Sequence, residues 1–95
     1  VAEFLLLMHR GVGAPSGWDA WFERLGALGV LRGGSQIGGG VCFCKDGEPP
    51  AITGHLEGYV KVVAEDLAAA ASLLVGNPVF EAGGIVEIRE LPEDA

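Results

Sequence analysis

The chain is poor in the features that usually announce a class of protein. It holds two cysteines and one tyrosine in 95 residues, and only six lysines and arginines against thirteen acids. Two cysteines cannot form a disulfide framework. Cys42 and Cys44 also lack the four donors of a structural zinc site, so small apolar packing is expected of them, in a cytoplasmic protein. The basic residues are scattered and the net charge is −7, which excludes a phosphate-neutralising stripe and hence nucleic acid as a partner. Apolar runs such as Phe4 to Met8 are far too short to cross a bilayer, and no secretory signal is recognisable. There is no internal repeat. The glycine-rich stretch from Gly33 to Gly40 lacks the Gly-Lys-Ser/Thr of a nucleotide-binding loop and leads into an apolar run rather than a helix. No cofactor and no metal site are therefore expected.

What is present is apolar content. Hydrophobic residues make up 49% of the chain, and the mean hydropathy is +0.38. A single domain spanning residues 1–95 buries only about two-thirds of its unfolded surface. The excess of apolar residues points to an oligomer interface.

The order of elements reads as follows. Glu3 to His9 is a strand with apolar residues on both faces, which suits a central position. Ser16 is a candidate helix cap, with Asp19 three residues on, and Trp18, Trp21, Phe22, Leu25 and Leu28 follow at helical spacing until Gly29. Residues 30–40 suggest bulges and bends, and a strand is expected at Val41 to Lys45, closed by the Asp46-Gly47 turn. A third strand covers Gly58 to Ala64. Asp66 caps a second helix from Leu67 to Val75, stopped by Gly76-Asn77-Pro78, and the last strand runs from Ile85 to Leu91.

This order, β-α-β-β-α-β, predicts an α+β, ferredoxin-like fold. Right-handed crossovers place both helices on one face of an antiparallel sheet of strand order 4-1-3-2. The other face would remain uncovered although the first strand presents leucines to it. A homodimer closing over that face is expected, the arrangement of a dimeric α/β barrel.

The chain also resembles the YCII-related family, including its DGPF branch, over nearly its whole length. The resemblance is carried by Phe4-Leu5-Leu6-Leu7-Met8, the Trp-rich first helix, Leu28-Gly29-Val30-Leu31 and Gly54 to Tyr59. Its most specific part is Asn77-Pro78 followed by Gly83-Gly84 and Val86-Glu87-Ile88-Arg89. The resemblance implies a dimeric α/β-barrel arrangement and a site built from His and Asp. Two departures limit the transfer. Thr53-Gly54-His55-Leu56 stands where the DGPF branch has Asp-Gly-Pro-Phe, and the first helix has Asp19 near its start where related members often carry histidine.

Topology nevertheless predicts a meeting point at one sheet edge. His9 and Arg10 end the first strand, Asp19 opens the first helix, and His55 precedes the antiparallel third strand. His55 is the candidate general acid/base, with Asp19 orienting it, because imidazole suits proton transfer near neutral pH. Its alternative role is to satisfy the backbone of a turn. Arg10 and the helix start favour a small anion. His9 is read as packed or hydrogen-bonded at the strand end, Trp18 as core or the roof of a pocket, and Tyr59 as a ligand wall or interface anchor. Lys61, Glu87 and Arg89 would face the dimer cleft, as ligand contacts or as a salt-bridged interface.

No motif names a reaction. Three readings follow: a small-molecule enzyme using His55, a non-catalytic binding or regulatory module, and a structural dimer. The first requires a pocket with His55 beside an acid. The third requires Lys61, Glu87 and Arg89 to be fully paired with one another.

Overall fold

Strand β1 (Ala2–His9) lies inside an antiparallel sheet, between β3 (Leu56–Ala64) and β4 (Val86–Leu91). Its alternation explains the position. Phe4, Leu6 and Met8 are buried on one face, while Leu5, Leu7 and His9 are half-buried on the other. The computed structural model describes residues 1–93. The sheet order is β2-β3-β1-β4, and the fold is the expected α+β, ferredoxin-like one. Among the described residues no helix is long and apolar enough to cross a membrane.

Helix α1 (Trp18–Ala27) and the Ala-rich α2 (Leu67–Ser72) contribute to one core. Trp21 and Leu25 of α1 and Ala70 of α2 pack against Phe4, Leu6, Val60 and Val62. The Trp21 indole N–H donates to the Leu73 carbonyl at 2.8 Å, tying α1 to the end of α2. Asp66 caps α2 as expected, its carboxylate accepting from the Ala69 N–H at 2.8 Å.

Four local expectations are corrected. The second strand, β2, is Leu31–Gln36, and residues 41–45 form no strand. The Val-Cys-Phe-Cys alternation is therefore not a pleated, half-buried surface: Val41, Phe43 and Cys44 are exposed. The cap of α1 is Gly17 in the left-handed region (φ 104°), with no side-chain cap bond, rather than Ser16. Helix α2 ends at Ser72 rather than Val75; Leu67 at its start is exposed, and Ala70 and Leu73 are buried. Finally, Asn77-Pro78 does not merely stop a helix. Asn77 accepts from the Phe80 N–H at 3.0 Å, and Pro78 opens a short third helix, α3 (Pro78–Glu81).

Between β2 and β3, residues 37–55 carry no helix or strand and expose Val41, Ile52 and Phe43, the last 88% accessible. The radius of gyration is 14.9 Å, against about 12 Å for a compact chain of this length.

Candidate functional site

The two sheet faces meet at the rim where β1 ends, and each carries a group of side chains. On the helix-covered face, a cleft of about 680 Å³ opens between α1 and the β2–β3 ladder. Trp18 and Phe22 sit one turn apart on α1 and stack with ring centroids 5.8 Å apart, forming one wall. Met8, Val60 and Val79 supply further apolar lining, and Arg10, Ser35, Gln36 and Glu57 supply polar groups. Gly34 makes the β2 side possible. A Cβ there would stand 2.7 Å from the Tyr59 carbonyl oxygen, so only glycine lets β2 approach β3 at this point.

On the helix-free face, β1 and β4 pair Leu7 with Glu87, so His9 lies diagonal to Glu87. His9 Nε2 stands 2.9 Å from Glu87 Oε1. An ionised carboxylate only accepts, so the proton is on Nε2 and the ring donates. Arg89 donates to the other oxygen, Oε2, at 3.1 Å. The His9 ring N–H and then the Arg89 guanidinium hold the Glu87 carboxyl below the usual carboxylate range. His55 approaches from the segment before β3. Its ring meets that of His9 edge-on, with centroids 4.7 Å apart. Arg10 stitches this segment down: its N–H donates to the His55 carbonyl at 2.7 Å, and its Nε to the Gly54 carbonyl at 3.1 Å.

His9, Arg10 and His55 therefore meet at the predicted rim. Asp19 does not join them. It is exposed on α1, and no hydrogen bond links it to His55. The acid in the group is Glu87, whose arrival depends on the β1–β4 register rather than on a sequence motif. Lys61 pairs with Glu3 at 3.3 Å, so Lys61, Glu87 and Arg89 are not one closed network. Leu5 has Lys61 and Arg89 as its cross-strand neighbours, and Leu7 has Tyr59 and Glu87, so paired polar side chains border the open-face leucines. Trp18 lines the cleft and His55 does not; Tyr59 borders it along the β3 backbone, where its carbonyl lies beside Gly34, and pairs with Leu7 on the helix-free face.

Searches against family models and curated proteins find no match. Among solved structures, the chain is similar to 5-chloro-2-hydroxyhydroquinone dehydrochlorinase (TftG) from Burkholderia phenoliruptrix AC1100, in complex with 2,5-dihydroxybenzoquinone. The likeness is one of fold. The TM-score is 0.58 at 18% identity, and the match covers 97% of this chain and 95% of that one. It agrees with the ferredoxin-like subunit derived from the order of elements, and it assigns no residue of either group a role.

Proposed function

We propose that this is a small-molecule-binding protein of YCII-like type, which takes a ligand with a flat apolar body and an anionic edge into the cleft beneath α1. The observation that carries the reading is the cleft itself: a stacked aromatic wall, an apolar floor and few polar groups, the usual make-up of a ligand site. Arg10 supports the anionic preference. Its Nε is engaged by Gly54, while its terminal amino groups have no hydrogen-bond partner among the described residues. The test uses 2,5-dihydroxybenzoquinone and a panel of aromatic carboxylates as probes, followed by amide NMR. Binding should shift Ser35, Gln36, Glu57 and the Trp18 indole, and Arg10→Gln should weaken it at least about tenfold, the loss of a charge-assisted contact. Shifts confined to other surfaces, or none across the panel, would refute the reading.

Acid/base activity is the second reading, favoured by the His9–Glu87 bond. Here His55 moves the proton, and the His9–Glu87 pair, rather than Asp19, is its electrostatic partner. Arg10 connects the two groups, lining the cleft and bonding the His55 carbonyl. With a ligand that turns over, His55→Gln should lower kcat with little change in ligand affinity. An unchanged kcat would leave binding alone.

A homodimer covering the helix-free face remains part of the proposal. It is supported by Leu5, Leu7 and Tyr59 on that face and by the exposed Phe43. Sedimentation equilibrium should give twice the chain mass, and Leu5→Glu should give a folded single chain. A wild-type chain that stays single at high concentration would sink it.

A further inference from the structure

Both histidines of the chain stand at one point with a carboxylate beside them, drawn from three segments far apart in sequence. From this geometry we propose that His9, His55 and Glu87 form a binding site for a divalent first-row transition ion, with zinc as the representative cation. The site is independent of the cleft ligand. It uses the imidazoles of the acid/base reading, which then describes the metal-free protein.

The distances carry the argument. Bonds from such an ion to imidazole nitrogen and carboxylate oxygen are about 2.0–2.2 Å, which sets neighbouring donors about 3–3.5 Å apart, from octahedral to tetrahedral geometry. His9 Nε2 and Glu87 Oε1 already stand 2.9 Å apart. One donor atom from each of the three residues falls within 4.8 Å of the others. The gap left for closure lies at His55, which is exposed and precedes β3, so its ring can turn without disturbing the ladder. The ion would replace the proton now shared by His9 and Glu87.

The donor chemistry narrows the occupant. Two imidazoles and one carboxylate suit zinc, cobalt, nickel or iron(II), and they lack the oxygen-rich shell that calcium and magnesium require. Arg89 bonds Oε2 of Glu87, leaving Oε1 for the ion and fixing the carboxylate in place, as an outer hydrogen bond does in established metal centres. Three protein donors on a solvent-reachable face leave a coordination position for water or a small anion.

The cysteines are the obvious competitor, since Cys42 and Cys44 are free thiols. The experiment is therefore run on the full chain with both replaced by serine, under reducing conditions and after chelator treatment. Zinc chloride is titrated by calorimetry, and cobalt(II) binding is followed by visible absorption. The expected result is one ion per chain, a cobalt spectrum without thiolate charge transfer, and a rise in Tm. His9→Gln, His55→Gln and Glu87→Gln should each weaken binding by more than about a hundredfold, beyond the loss typical of an outer-shell change. His55→Gln keeps the test clean, because this exposed side chain makes no hydrogen bond within the described protein. Loss of all binding in the double serine variant, or undiminished binding in His55→Gln, would overturn the site.

Discussion

Replacing Gly34 with alanine tests the least expected part of the fold. If β2 is Leu31–Gln36, the new methyl group meets the Tyr59 carbonyl oxygen at 2.7 Å and Val60 Cα at 3.2 Å. Both are backbone atoms of β3, so neither can swing aside as a side chain would. Separation of the two strands is the remaining relief, and it weakens the β2–β3 ladder that forms one wall of the cleft. Forcing a methyl group into a filled site costs about 1–3 kcal/mol. For a domain of this size, with a urea slope of about 1 kcal/mol per M, the unfolding midpoint should fall by roughly 1–3 M. Gly40→Ala is the internal control. Nothing lies within 4 Å of its added carbon, and its φ is not in the left-handed region, so its midpoint should hold or rise slightly. Were residues 41–45 the paired strand instead, Gly34→Ala would carry no such cost. An unchanged midpoint for Gly34→Ala would refute the assignment of β2.

Three further outcomes follow from the same geometry. The Glu87 side-chain carboxyl carbon, followed by NMR, should titrate below the ordinary carboxylate range, and His9→Gln or Arg89→Gln should each move it upward; no movement in either would contradict the bonding at that group. Because the folded-state value is the lowered one, the contribution of Glu87 to stability is present above the ordinary carboxylate range and is lost as pH falls through the lowered value. Trp21→Phe orphans the buried Leu73 carbonyl and should cost about 2 kcal/mol in urea unfolding, whereas a loss below a few tenths would mean that the indole bond is not formed. Asp66→Ala should cost about 1 kcal/mol and Asp66→Asn much less, since asparagine keeps an oxygen for the Ala69 N–H; equal losses would argue against the cap.

The architecture was legible because its signals are strong and periodic. The two-sided apolar pattern of Phe4 to Met8 places β1 between two neighbours, and the handedness of the crossovers does the rest. Strand β2 was illegible for a physical reason. It is an edge strand with one partner, five of its six residues are exposed, and it therefore carries no hydrophobic alternation. What marks it is the close backbone approach at Gly34, which resembles loop composition when read along the chain. The same division holds at the rim. Topology brings His9, Arg10 and His55 to one end of antiparallel neighbours, and that much follows from element order. Glu87 enters through the register of β4 against β1, and a slip of one residue would have sent it to the opposite face. Asp19 stands near a helix start in the sequence, but α1 covers the face away from the imidazoles.

One irregularity separates the chemistry of the two groups. The β1–β3 ladder pairs Met8 with Gly58 but His9 with Leu56, so Glu57 is the supernumerary residue. That slack sends Glu57 to the cleft, where it is the sole acid among the lining residues and offsets Arg10. In an unbroken register, Glu57 would stand opposite His9, one step on from the Met8–Gly58 pair. The imidazoles would acquire a second carboxylate, and the cleft would be left with only a cation. A single step of spacing thus leaves each side of a thin sheet with its own acid and its own cation, Glu57 and Arg10 on one and Glu87 and Arg89 on the other.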